Sequence, residues 1–265
     1  MTHRTSPWPA GMPCWTDLAT PDVAAAADFY TAVLGWDIQK TDDEYGGYVM
    51  AQVDGGSVAG IGPVPEAMPT AWQLYFASDD VDATSTAVAD HGGTVLFGPG
   101  DVGPVGRMCV AADPTGGVFG VWQHRENIGA EVVNEPGALM WEDLRSTDPD
   151  AARTFYTAVF GHRMEPMPDA GPDYALFHLG DEETPLGGIG GMMGASDDTP
   201  SHWLVYFCVP DADAAIAAAE RGGGSAVGPA IDTPYGRMAA ISDPWGAFFW
   251  VTQPLEGATH PDRSG

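Results

Sequence analysis

Positive charge is what this chain has least of: 10 Lys and Arg stand against 37 Asp and Glu, a formal charge of −27, and Lys40 is the sole lysine. So few cations leave little with which to track phosphates, so neither nucleic acid nor an anionic membrane is expected as a partner. Cationic or neutral ligands are favoured over anions. Cysteine is scarce as well. Cys14, Cys109 and Cys208 lie far apart and outside any C-x-x-C pair, which excludes a disulfide framework and a zinc ribbon and fits buried thiols in a reducing compartment. The N-terminal residues 1–9 lack the apolar core of a signal peptide and no apolar run approaches the length of a membrane-spanning helix, so a cytoplasmic location is expected. A P-loop and a G-x-S-x-G nucleophile are lacking, and the Gly-rich stretch Gly187–Gly194 opens no helix.

What is present is a packed protein with a repeat. Hydrophobic residues are 44% and aromatics 10% of 265 residues, enough for two domains. Trp15-Thr16-Asp17-Leu18, Asp22 and Phe29-Tyr30-Thr31-Ala32-Val33-Leu34-Gly35 recur, 126 residues on, as Trp141-Glu142-Asp143-Leu144, Asp148 and Phe155-Tyr156-Thr157-Ala158-Val159-Phe160-Gly161. A second block from Trp72 to Gln123 recurs from Trp203 to Gln253, with Gly106-Arg107-Met108 matching Gly236-Arg237-Met238 and Asp113-Pro114 matching Asp243-Pro244. The chain therefore divides into residues 1–127 and 138–255, followed by a flexible tail, 256–265.

Within a copy, Trp15–Ala19 predicts a strand, Asp22 an N-cap, Val23–Val33 a helix and Gly35 its stop. Strands follow at Trp36–Gln39, Tyr48–Val53 and Val58–Ile61, and the cycle restarts with strand Trp72–Ala77, helix Asp82–Asp90 and three more strands near Thr94–Leu96, Arg107–Ala111 and Val118–Trp122. Each copy is two βαβββ units, an α+β arrangement with mostly antiparallel sheets. Asp113-Pro114 and Asp243-Pro244 are expected to be hairpin turns and nothing more.

The D-x₆-F-Y-x₄-G element and the Gly-Arg strand followed by Asp-Pro-x-Gly resemble the vicinal oxygen chelate superfamily, which includes glyoxalase I, extradiol dioxygenases and bleomycin-resistance proteins. The resemblance covers nearly the whole chain. It implies two tandem glyoxalase-like domains, each of two βαβββ units forming a curved mixed sheet around a cup. It also implies, in metal-dependent members, His, Gln or Glu ligands at the start of the first strand and near the end of the last strand of each unit.

Those positions here are Trp15 and Trp141, the segments Gly60-Ile61-Gly62 and Gly188-Ile189-Gly190, Trp72-Gln73 and Trp203-Leu204, and the last strands 118–122 and 248–251. An indole offers a metal no lone pair, so among them Gln73 alone could coordinate. Of seven histidines only His178 and His202 are plausible cup residues, both in the second copy, which is thereby the favoured one for activity. No cofactor and no metal are expected.

Aromatics stand in place of ligands. If Trp15 and Trp141 face the cups, alternation puts Asp17 and Asp143 there too, with Thr16, Leu18, Glu142 and Leu144 opposite. Trp72, Trp203, Trp122, Trp250, Met108 and Met238 complete the expected lining, while Tyr75-Phe76 and Tyr206-Phe207 are assigned in part to the core. Such a lining suits a planar or greasy molecule. Asp17 and Asp143 are candidate general bases, partners for a cationic ligand, or structural acceptors of Trp N–H groups.

Three readings stay open. One is a metal-free binder of a small aromatic or hydrophobic metabolite, antibiotic- or polyketide-like. The second is a metal-independent isomerase, lyase or hydroxylation accessory enzyme of secondary metabolism. The third is a metal-dependent lyase or dioxygenase with an irregular site built from His178, His202, Gln73 and an acid. The expected state is a monomer or homodimer.

Overall fold

The computed structural model describes residues 3–41, 45–64, 68–196 and 198–255. The expected tail, 256–265, lies outside them. The first repeat runs β1 (Pro13–Thr20), α1 (Val23–Leu34), β2 (Asp37–Lys40), β3 (Val49–Val53), β4 (Gly56–Pro63), then β5 (Ala71–Ala77), α2 (Val81–Asp90), β6 (Thr94–Val102), β7 (Gly106–Ala112) and β8 (Val118–His124). The second runs β9 (Leu139–Arg145), α3 (Pro149–Phe160), β10 (His162–Pro166), β11 (Ala175–Leu179), β12 (Gly187–Gly190), then β13 (His202–Cys208), α4 (Ala212–Arg221), β14 (Ser225–Ala226), β15 (Ile231–Thr233), β16 (Gly236–Ser242) and β17 (Phe248–Gln253).

Local chemistry sets the helix ends. The Asp22 carboxylate accepts from Ala25 N at 3.0 Å, and Asp148 does the same for Ala151. Gly35 and Gly161 close α1 and α3 in the left-handed region, at φ 76° and 72°, where a side chain would be strained. No helix among the described residues is long and apolar enough to cross a membrane.

Each repeat forms one mixed sheet, ordered β2-β3-β4-β1-β5-β8-β7-β6 in the first and β10-β11-β12-β9-β13-β17-β16-β14 in the second, with β15 paired to β16. The β1–β4 and β5–β8 pairs are parallel and the β1–β5 seam is antiparallel. The fold is thus α+β with two tandem glyoxalase-like sheets.

The two repeats share one core. Leu18, Trp72, Leu74 and Phe76 of the first sheet pack with Phe177, Trp203 and Phe207 of the second and with the inner faces of the helices. Helix α1 contacts α4, and α2 contacts α3. Two matching polar relays cross this core. Trp72 Nε1 donates to Tyr30 Oη at 3.2 Å, and the Tyr30 hydroxyl donates to Asp243 Oδ2 at 3.1 Å. Trp203 donates to Tyr156 at 2.9 Å, and Tyr156 to Asp113 at 3.1 Å.

These relays correct two expectations. Asp113 and Asp243 do hold their turns, accepting from Gly117 N and Ala247 N, but each is buried and also ties its turn to a helix of the other repeat. Trp72 and Trp203 line the core, not the cups. Antiparallel register is the reason: Leu18 pairs with Trp72 and Leu144 with Trp203, and residues directly opposite share a face.

Candidate functional site

The first cup is built on β1. A bulge between Pro13 and Trp15 resets its alternation, and Trp15 then pairs with Tyr75 and Asp17 with Gln73, so these four share the concave face. Tyr48, just ahead of β3, lays its ring on the backbone of β4. A Cβ at Gly60 or Gly62 would overlap that ring, so these glycines are the seat that lets Tyr48 reach the floor. Trp15 Nε1 donates to Tyr48 Oη at 3.2 Å, and the Tyr48 hydroxyl faces Asp17 Oδ2 at 3.5 Å. Tyr75 also donates to Asp17. Trp122, Met108 and Met50 form the walls of a cavity of about 1140 Å³.

Segments outside the sheet complete the wall. Thr5 and residues Glu126 to Gly129 line the cavity together with Glu131. Trp122 Nε1 donates to Asn127 O at 2.9 Å, Trp8 Nε1 to Ala130 O at 2.9 Å, and Ala130 N to Cys14 O at 2.7 Å, so the N-terminal segment and the inter-repeat link are stitched to the rim.

Asp17 is the acid at the floor. Burial pushes its carboxyl up from 3.8 to about 7, against hydrogen bonds from Tyr75 and Tyr48 that favour the carboxylate. No cation reaches it among the described residues. Asp101, also in the lining, is occupied by Arg107 at 2.8 Å and Arg125 at 3.0 Å.

The second cup repeats the cluster with two substitutions. Asp143 accepts from Trp141 Nε1 at 2.9 Å, Tyr174 Oη at 2.7 Å and Tyr206 Oη at 2.9 Å, as Asp17 is faced by the equivalent tyrosines. In addition Arg145 donates to Asp143 Oδ2 at 2.7 Å; the equivalent residue in the first cup is Ala19. The other substitution concerns the floor. Tyr75 pairs with Gly120, whereas Tyr206 pairs with Trp250, whose indole stacks on it at 5.6 Å between centroids. In the first cup the Tyr75 ring packs over Gly120, and in the second an indole stacks on the equivalent Tyr206.

The expected lining residues therefore divide. Trp15, Asp17, Met108 and Trp122 line the first cavity. Trp141, Asp143 and Trp250 lie in the second cup, and Met238 sits on the face of β16 opposite the core residues Ala239 and Ile241. Trp122 and Trp250 are not equivalent: in register, Trp250 stands where the first repeat has Gly120. Tyr75 and Tyr206 face the cups, with only Phe76 and Phe207 in the core.

His178 and His202 belong to β11 and β13 of the second sheet, whereas Gln73 lies beside Asp17 in the first, so the irregular set of His178, His202, Gln73 and an acid is not brought together. His178 is buried with its Nε2 3.4 Å from Glu165, and His202 Nδ1 donates to Pro200 O at 2.8 Å. The cavity described above belongs to the first copy, whereas the two histidines favour the second. Tyr48 and Tyr75 were missed, although Tyr48 recurs as Tyr174 at the same 126-residue offset as Trp15 and Asp17.

Comparison with known proteins supplies the decisive observation. The profile of the Glyoxalase/Bleomycin resistance protein/Dioxygenase superfamily matches residues 14–121 and again 122–251. The chain belongs to this superfamily. Among glyoxalase-superfamily relatives, "Putative glyoxylase CFP32" of Mycobacterium tuberculosis is 42% identical over 260 residues, 95% of this chain and 98% of the relative. "Anthracycline biosynthesis protein DnrV" of Streptomyces peucetius is 39% identical over 271 residues, 96% and 97% of the two chains. The Mn(II)-bound glyoxalase from Novosphingobium aromaticivorans shares the fold at a TM-score of 0.64 and 16% identity, covering 95% of this chain and 86% of that one. The 2,3-dioxygenase LapB from Pseudomonas sp. KL28 does so at 0.64 and 16%, covering 100% and 96%.

Divalent metals need several nitrogen, oxygen or sulfur ligands converging on one point. At the glyoxalase-superfamily ligand positions of the first cup stand Trp15, the Gly60–Gly62 segment, Gln73, whose amide donates to Leu74 O, and the 118–122 strand with Trp122. Asp17 is a single carboxylate engaged by phenols. Among the described residues no three His, Cys, Asp or Glu side chains are grouped to hold an ion. The described residues of the first cup do not fit the metal of the metal-dependent branches.

Proposed function

We propose that this glyoxalase-superfamily protein binds a small fused-ring aromatic metabolite in its first cup, without a metal, in a secondary-metabolic setting. The observation that carries the reading is the cavity of about 1140 Å³ walled by Trp15, Tyr75, Trp122, Met50 and Met108, with the buried Asp17 carboxyl at its floor. At roughly 25 cal/mol per Å² of apolar surface, a planar ligand stacked there gains most of its affinity from burial. The Streptomyces relative named for anthracycline biosynthesis supports the setting, since the similarity runs through nearly the full length of both chains.

Titrating the protein with a panel of fused-ring aromatics tests this through quenching of tryptophan fluorescence. Micromolar binding that Trp122→Ala weakens by about tenfold is expected. No compound tighter than millimolar, or near-stoichiometric iron, zinc, nickel or manganese in protein purified without chelators, would overturn it.

A second reading is favoured by the proton affinity of Asp17. A carboxyl held near neutrality in a walled-off cup can take a proton from one acidic atom of a bound compound and return it to another, the step an isomerase or lyase needs. Turnover unchanged in Asp17→Asn would remove that role.

A further inference from the structure

Four side chains recur in the two cups, Trp15 and Trp141, Asp17 and Asp143, Tyr48 and Tyr174, Tyr75 and Tyr206, and in both the two phenols face the carboxyl, while the indole donates to Tyr48 in the first and to Asp143 in the second. In both, the tyrosine ring lies on a glycine pair of the neighbouring strand, Gly60 and Gly62 or Gly188 and Gly190, where a Cβ would collide with it. The second cup contains one further component. The Arg145 guanidinium, from the next residue on the same face of the strand, closes on the carboxylate at 2.7 Å and leaves it with two phenols, an indole and a cation. The first cup has Ala19 there, and its carboxylate faces phenols only.

One chain thus carries the same acceptor site twice, once with its cation built in and once without. The side without a cation lies in the first cup, where Asp17 lines the cavity of about 1140 Å³. An isolated carboxylate in such surroundings is poorly solvated, and a charge-assisted hydrogen bond from a bound cation is the interaction that relieves it best.

We infer that the ligand of the first cup is an aromatic compound bearing a cationic nitrogen, an ammonium or amidinium, which seats on Asp17 as the Arg145 guanidinium seats on Asp143. This rests on the aromatic-cup reading above and adds the functional group that the cup selects. The ring system stacks among Trp15, Tyr75 and Trp122, and the nitrogen donates to the carboxylate. A neutral analogue of the same shape gives Asp17 no charge-assisted hydrogen bond.

The test compares aminomethylanthracene with hydroxymethylanthracene, which share a ring system and differ in charge, by calorimetric titration at pH 8 and physiological salt. The amine is expected to bind at least about tenfold tighter than the alcohol. In Asp17→Asn that preference should fall to within about threefold, and Ala19→Arg, which supplies the cation internally, should also abolish it. Equal affinity of the two compounds for the unaltered protein overturns the inference and leaves the aromatic cup standing. An amine preference that survives Asp17→Asn overturns it as well, by assigning the preference to the overall acidity of the protein. Failure of both compounds to bind below millimolar overturns the aromatic cup and the inference together.

Discussion

Arg145 closes on Asp143 at 2.7 Å, with both side chains largely buried. The same place beside Asp17 is held by Ala19. The cation beside the carboxylate is thus present in one copy of the cluster and absent from the other, and the consequences for stability and binding can be measured separately.

Stability should depend on pH through Asp17. Its folded-state proton affinity, displaced from 3.8 to about 7, exceeds that of the unfolded chain, so stability is lost as pH rises from about 4 through 7. The titratable groups facing it are the Tyr48 and Tyr75 phenols, both pushed far up by burial and then by the Asp17 charge, so neither titrates in that window. Asp17→Asn should abolish the loss, making the variant more stable than the parent above pH 7 by on the order of 3 kcal/mol, as read from urea unfolding at pH 5 and pH 8.

His162 acts in the opposite direction. It is buried among Phe76, Phe160 and Phe177, and burial lowers it from 6.5 to about 4, against a hydrogen bond with Gly11 O. The neutral ring is the stable form, so its contribution is lost as pH falls from about 6.5 to 4. His162→Gln should flatten the acid limb of the unfolding profile in that interval, whatever it costs in packing at neutral pH.

Removing the cation from the second cup should be costly. Arg145→Ala leaves Asp143 buried with phenols and an indole, and a loss of about 3 kcal/mol is expected in denaturant titrations. Asp143→Asn in the same chain should restore much of it, because the uncompensated charge disappears.

The relays across the shared core should bind the two repeats into one folding unit. Tyr30→Phe deprives Trp72 and Asp243 of a partner, and Tyr156→Phe does the same to Trp203 and Asp113; each should cost about 1–3 kcal/mol. A chain cut to residues 1–127 keeps its sheet sequence but bares the face that packs on Phe177, Trp203 and Phe207, and should not give a cooperative thermal transition as a monomer.

Much of this architecture was legible in the sequence. Recurrence at a fixed offset, Asp22 and Asp148 as caps, and Gly35 and Gly161 as stops specify the elements by local chemistry. The resemblance implied that Trp15 and Trp141 face the cups, and alternation then placed Asp17 and Asp143 beside them. The face of β5 did not, since only cross-strand register shows that Trp15 is opposite Tyr75 and that Trp72 is opposite Leu18. Residue type was misleading at Trp122 and Trp250, because similar indoles stand two positions apart in register. The contribution of Thr5 and of the 126–131 segment arises from contacts distant in sequence, which leave no periodic trace.

Stoichiometry tests the central claim most directly. Calorimetric titration with a fused-ring aromatic amine should give one site per chain, lost when Gly120→Ala displaces the Tyr75 ring that packs against that glycine and retained when Trp250→Phe alters the second floor. Two equivalent sites, or one site abolished by Trp250→Phe and untouched by Gly120→Ala, would contradict the assignment of ligand binding to the first cup.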